Sequence, residues 1–421
     1  MTGSGTEGDP FIISDVTDLQ AMNDDLSAYY ELSGDIDASD TSTWNSGAGF
    51  VPIGNLSTKF TGDFDGKDYK ITDLYISRSS TDYVGLFGYI YYGAGLKRVK
   101  NIRLRDCNVT GRDYVGGLVG KLLSTVSTKL EDCSVSGQVT GRIYVGLVEG
   151  MGGYTTKCFA EFGSTVTATG TGDSMRTGGF VGAAVQSISA CYSRANVVAN
   201  SGKNVGGFSG VSSASGHLVE CYSTGSVTGN ASTKGGFIGN AVANVTRCYW
   251  DKDTSGLDTS DGGTGLTTAQ MKTQGSYDSW DFNTMWDIKP TRNQGYPYLR
   301  PFVDVYLFDP GQRWTEGRRR HFIDEGGFER SFEGGATGDT GVAGHRWTEG
   351  VFSAYIDEDG NKRRAMGTKS GATGQSPAQC WINLTKARYI DANGDERYLP
   401  RTSAFGGSYF NALPISPCVT K

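Results

Sequence analysis

Few side chains in this 421-residue chain combine the type and the spacing that catalysis needs. The nearest to a catalytic pair is Asp63 and Asp65, in Phe60-Thr61-Gly62-Asp63-Phe64-Asp65-Gly66. Two carboxylates can divide acid and base work on a glycosidic bond. Asp65-Gly66 is also an ordinary turn pair, and Asp63 alternates with Phe64 as an outward strand residue would. No general-base histidine or lysine is expected beside them, so a structural role is predicted. Asp357-Glu358-Asp359-Gly360-Asn361 and Asp391-Ala392-Asn393-Gly394-Asp395-Glu396 carry calcium-loop residue types without the closing glutamate at the twelfth position. They are predicted to be hairpin turns. His217, His321 and His345 are the three histidines, too few for a metal or acid–base centre built on imidazole. A Ser-His-Asp order, a phosphate loop and a Cys-x-x-Cys pair are all missing. No enzyme activity, cofactor or metal is therefore expected.

The cysteines are spaced by a larger pattern. Six of the eight are Cys107, Cys133, Cys158, Cys191, Cys221 and Cys248, several inside one phrase: Cys191-Tyr192-Ser193, Cys221-Tyr222-Ser223, Cys248-Tyr249-Trp250. Alternating with them, a Gly-apolar-x-Gly phrase returns: Gly85-Leu86-Phe87-Gly88, Gly117-Leu118-Val119-Gly120, Gly179-Phe180-Val181-Gly182, Gly207-Phe208-Ser209-Gly210 and Gly236-Phe237-Ile238-Gly239. Gly146-Leu147-Val148-Glu149-Gly150 reads as a weaker copy, one residue longer. A period near 30 residues marks a solenoid. Each unit holds two short β-prone runs separated by Gly, Ser, Thr and Asn, and no apolar run of helical period. Such a unit buries its apolar face only by stacking on copies of itself, about 4.8 Å apart. The paired glycines Gly116-Gly117, Gly178-Gly179, Gly206-Gly207 and Gly235-Gly236 then mark corners that need positive φ or close backbone approach. Leu86, Leu118, Leu147, Phe180, Phe208 and Phe237 should point inward at one phase. The six cysteines should stack as a reduced internal ladder, because side chains on stacked rungs run parallel whereas a disulfide draws Cβ atoms to about 3.8 Å.

These phrases resemble those of GLUG-repeat proteins, and the resemblance covers roughly residues 5–301. It includes the opening Gly8-Asp9-Pro10-Phe11-Ile12-Ile13-Ser14 and the closing Gly265-Leu266-Thr267-Thr268-Ala269-Gln270-Met271-Lys272 with Gly295-Tyr296-Pro297-Tyr298-Leu299. It implies a right-handed parallel β-helix and a surface adhesin or stalk, with no catalytic motif to transfer. The expected fold is thus all-β: an N-terminal cap and first rungs over 1–83, repeats over 84–249, a C-terminal cap over 250–301 and a β-hairpin domain over 302–421. A helix over Asp15 to Leu26, with Val16, Leu19, Met22 and Leu26 as its apolar stripe, should cover the first strand edge. Trp280, Phe282, Met285 and Trp286 should plug the other end.

The last 120 residues repeat differently. Trp314, Trp347 and Trp381 recur at offsets of 33 and 34, each followed by Phe322-Ile323-Asp324, Tyr355-Ile356-Asp357 or Tyr389-Ile390-Asp391 and then by a turn pair and arginine. Three hairpins are predicted. Trp314, Trp347, Trp381, Tyr355 and Tyr389 are the candidate binding or assembly residues, since aromatic side chains and arginine are enriched in interface cores.

Glycine, at 62 residues, is phased as a solenoid requires rather than strewn as in disorder. A formal charge of −6 argues against nucleic acid as a partner. The first eight residues hold no basic or apolar leader segment, and no apolar run is long enough to span a membrane. Together these point to a non-enzymatic spike or fibre protein of a phage virion, homo-oligomeric, with protein partners and cell-surface glycans as candidate ligands. The alternatives are an exported adhesin and a polysaccharide-cleaving β-helix.

Overall fold

The computed structural model describes residues 1–93, 97–125, 130–242 and 244–300, together with the backbone of nine short strands between 319 and 399. The chain divides into two units, Met1–Arg300 and Pro301–Lys421.

The first unit is a parallel β-solenoid. The rung that begins at Asp113 shows its plan. Asp113–Gly116 forms one face (I), Val119–Ser124 the next (II), Leu130–Glu131 the third (III) and Ser134–Gly141 the fourth (IV). Each strand pairs in parallel with its equivalent on the neighbouring rungs: Val115 opposite Val145 on face I, Val119 opposite Phe87 and Glu149 on face II, Leu130 opposite Val99 and Thr155 on face III. Face III stacks nine strands, from Phe11–Ile13 to Val245–Thr246, so the coil starts well before the recognisable repeats. One apolar core runs inside it from Ile13 to Trp250.

The N-terminal helix α1 is shorter than its apolar stripe suggested. It spans Val16–Ala21 and is capped by the Asp15 side chain, which accepts from the Thr17 and Asp18 N–H groups. A 3₁₀ turn at Met22–Asp24 replaces its last turn and still buries Met22.

The paired glycines do not hold the left-handed corners. Those fall on Tyr83, Tyr114, Tyr144 and Asn204, and on the residue before each cysteine of face III: Asp132, Lys157, Ala190, Glu220 and Arg247. The glycine pairs serve close approach instead. A Cβ on Gly117 would lie 2.7 Å from the Leu147 carbonyl oxygen and 2.9 Å from Val135 Cγ1, and one on Gly236 would fall within the indole of Trp250.

The register also corrects the weak repeat. Gly116 pairs with Gly146, and Val119 with Glu149, so this rung is no longer than its neighbours. Leu147 therefore stands at the second-glycine position, and Val148, not Leu147, joins the inward column of Leu86, Leu118, Phe180, Phe208 and Phe237, all fully buried. Leu147 fits because face IV opposite is small there. Ala160 pairs with Ser193 and Ser193 with Ser223, while the glycine at 236 faces Trp250, next in the same column.

Thr264–Leu266 adds one more strand to Tyr249–Asp251, and Ser260 and Asp261 bond the edge of the last face II strand, so this stretch closes the end. Residues 267–300 lie elsewhere. Trp280, Trp286, Tyr277 and Tyr296 pack on the outside of face IV against Tyr192, Tyr222 and Tyr249, the outward tyrosines of three successive rungs. Arg194 fastens this flank, donating to Asn293 Oδ1 at 2.6 Å and Gln294 Oε1 at 2.6 Å, and the Tyr222 hydroxyl donates to the Pro297 carbonyl at 2.5 Å.

In the second unit, Arg319–Ile323 pairs antiparallel with Glu329–Glu333, Gly350–Ile356 with Lys362–Gly367 and Ala387–Ile390 with Glu396–Leu399. Phe322, Tyr355 and Tyr389 stand opposite Arg330, Arg363 and Arg397, as the hairpin repeat implies.

Candidate functional site

Asp63 and Asp65 lie on one face III strand with Phe64 buried between them, so both carboxylates face away from the core. Burial raises the Asp63 carboxyl, outweighing the bond its Oδ2 accepts from the Arg98 N–H at 3.0 Å. Burial acts on Asp65 too. There, bonds from Asn101 Nδ2 (2.8 Å) and the Lys67 N–H (2.9 Å), with the Lys100 and Lys67 ammonium groups at 3.2 and 3.4 Å, prevail and hold it below the usual carboxylate range. Two lysines thus do accompany the pair, contrary to expectation, Lys67 from the corner turn that begins at Gly66 and Lys100 from the next rung. Opposed shifts are the mark of an acid–base pair. Asp65, however, is ringed by protein donors as a structural carboxylate is.

Charge along the outer wall is paired from rung to rung. Arg98 meets Glu131 at 2.7 Å, Arg103 meets Asp68 and Asp132 at 2.5 and 3.1 Å, Arg105 meets Glu161 at 2.8 Å, and Arg112 and Arg142 hold Asp82 and Asp113 at 2.5 Å. Tyr83, Tyr114 and Tyr144 stack face to face at 4.7 and 4.6 Å. Lys121 lies over the first two rings and Arg176 over the third. Their faces being covered, these tyrosines brace the rungs and offer no open stacking platform.

The cysteine column is real and has five members. Cys133, Cys158, Cys191, Cys221 and Cys248 occupy equivalent corners, each thiol donating to the carbonyl two residues before it at 3.1–3.4 Å, across the left-handed residue. Each of the first two also takes its neighbour's thiol as acceptor for its N–H: Cys133 N to Cys158 Sγ and Cys158 N to Cys191 Sγ, both 3.3 Å. Cys107 does not belong. It pairs with Gly137, and Ile102 fills the ladder position of its rung. All six are free and buried. Desolvation raises the Cys107 thiol to about 12 and pushes Cys133 and Cys158 well above the ordinary range. All six thiols are closed off from solvent by the packing around them, so maleimide should leave them unlabelled in the native protein near pH 7 and reach them after denaturation, as counted by mass spectrometry. Labelling of native Cys191 or Cys221 would contradict the packing.

Trp314 and Cys418 lie outside the described residues. Trp347, Trp381, Tyr355, Tyr389 and Cys380 lie on described backbone strands. Among the described residues no group of three or more His, Cys, Asp or Glu is placed to hold a metal, and no helix is long and apolar enough to cross a membrane. The aromatic flank over face IV was missed in the sequence, although three tyrosines at one outward phase, Tyr192, Tyr222 and Tyr249, together with four later aromatics were a usable signal.

Residues 111–140, one whole rung, match the GLUG motif. The chain is 32% identical over 342 residues to halomucin of Haloquadratum walsbyi, covering 71% of this chain and 3% of that protein. It is 30% identical over 140 residues to a putative Gly-rich membrane protein of Evansella cellulosilytica, covering 32% of this chain and 15% of the relative. It is 24% identical over 250 residues to an immunoglobulin A1 protease of Streptococcus sanguinis, covering 56% and 12%. The crystal structure of a putative immunoglobulin A1 protease from Bacteroides ovatus superposes with a TM-score of 0.51 at 20% identity, over 71% of this chain and 94% of that one, a likeness of fold alone. The chain spans only a small part of the three curated relatives.

Proposed function

We propose, for a chain that carries the GLUG motif and is related to GLUG-containing proteins, the role of a non-enzymatic surface or extracellular β-solenoid: a stiff stalk that displays or anchors a binding module. The observation that carries this is the unbroken core from Ile13 to Trp250. A rod whose rungs each lock to the next by parallel backbone ladders, internal columns and paired outer charges resists bending along its length. The likeness to halomucin supports a place at a cell surface rather than in a virion. The hairpin unit, with Trp347, Trp381, Tyr355 and Tyr389 on its strands and Trp314 before them, is the assembly or partner-binding element in this proposal. Antibody raised against the folded solenoid should decorate intact cells of the source organism; decoration of released phage particles instead would restore the virion role.

The names of the protease relatives favour testing an enzymatic alternative, with Asp63 and Asp65 as its acid–base pair. Immunoglobulin A1 and bacterial polysaccharides incubated with the purified protein should be recovered uncut; Asp63→Asn should alter stability only slightly, and Asp65→Asn, which takes the charge from between Lys67 and Lys100, should lower it more. Turnover that vanishes with either substitution would establish an enzyme.

A further inference from the structure

The outer columns of the solenoid are occupied: rings cover rings and cations meet anions. One interior group stands apart. Glu149 is fully buried at the face II position that Val119 fills on one side and Val181 on the other. Its Oε1 accepts from the Thr155 hydroxyl at 2.7 Å. Among the described residues its Oε2 has no hydrogen-bond partner. The side chain folds back over its own strand into space that exists because residue 152 is glycine, where a Cβ would collide with Oε2.

We propose that Glu149 is a proton-operated lock on the rung 143–168: neutral, it packs as core, and ionised, it forces that rung open. An ionised carboxylate cannot stay in such a place without a cation, and among the described residues none faces it. Of the strands packed around it, 181–184 and 155–156 carry no charged residue. Lys121 on 119–124 lies over the Tyr83, Tyr89 and Tyr114 rings, and Glu131 on face III is bound to Arg98. Burial, against weaker opposition from Thr155 and Gly153, lifts the carboxyl to about 8, from an ordinary 4.5. The folded state holds this proton more tightly than the unfolded chain does. The contribution of Glu149 is therefore intact below the unfolded value, falls as pH rises from about 4.5 to about 8, and is lost above that. The weak repeat is thus a deliberate departure: hydrophobic rungs on both sides, and between them one rung sensitive to alkali.

The test is denaturation of the full chain at a series of pH values, beside Glu149→Val and Glu149→Gln. The folding equilibrium constant of the native sequence should drop on the order of a thousandfold more than that of Glu149→Val between pH 4.5 and pH 8.5, since each unit of pKa difference is tenfold. Glu149→Gln, which keeps a polar side chain without the titration, should also lose the slope. Should the valine variant not fold, isotope-edited infrared spectroscopy of the native protein decides the matter: the protonated-carboxyl band of a buried glutamic acid should persist at pH 7 and vanish near pH 9. Equal pH slopes in the three proteins, or no such band at pH 7, would overturn the proposal.

Discussion

Phe208→Ala is expected to lower the unfolding free energy by about 3–5 kcal/mol. The ring is fully buried and stacked between Phe180 at 4.8 Å and Phe237 at 5.0 Å, tilted from them by only 4° and 13°. Within this column each ring touches only the rings beside it, so the cavity weakens two stacking contacts at once. Equilibrium urea denaturation followed by circular dichroism would measure the loss. A fall in the denaturant slope as well would show that the rungs after Val205 melt separately from those before. Phe208→Leu, which leaves most of the volume filled, should lose distinctly less. A loss below about 1 kcal/mol for alanine would mean that the aromatic column does not couple the rungs.

Trp286→Ala should remove a similar amount, about 3–5 kcal/mol, but from a different place. Its indole is fully buried, stacked on Trp280 at 4.3 Å and held against Tyr192 and Tyr222 at 6.2 and 6.1 Å. These contacts hold residues 267–300 to the wall, not one rung to the next. The expected result is a local loss: limited proteolysis cuts within 267–300, while the circular dichroism of the parallel strands survives. The polar ties of Arg194 to Asn293 and Gln294 should then be too weak to hold the flank closed. Global unfolding at the same denaturant concentration as the native protein, with no early cleavage, would show that flank and solenoid melt as one body.

Much of the fold was legible because a solenoid writes its environment repeatedly. An apolar residue returning in phase must face the same interior each time, so Leu118, Phe180, Phe208 and Phe237 could be assigned inward, and the cysteine corners recognised as buried, from spacing alone. Cys107 was misassigned because its distance from Cys133 fits the period, although the ladder position of that rung belongs to Ile102. Leu147 was misplaced for a related reason. Its phrase looks like its neighbours' when aligned on leucine, but hydrogen bonds align the backbone, and Gly116 meets Gly146.

The sequence by itself determined that the repeats form a stack of strand rungs with a reduced, buried cysteine column, since strand-only units of this length bury their apolar face by stacking on copies of themselves. The tertiary structure alone decided register, corner conformation and the place of the aromatic flank. Register depends on the backbone ladder, where a slip of one residue turns every side chain to the other face. The left-handed corners fall on tyrosine, aspartate and lysine because stacked neighbours hold them there, which composition does not record. The flank is fixed by partners far apart in the chain, Arg194 with Asn293 and Tyr222 with Pro297. Asp63 and Asp65 show the same division. Their alternation with Phe64 was readable, while Lys100 and Asn101, which decide the state of Asp65, arrive from the next rung.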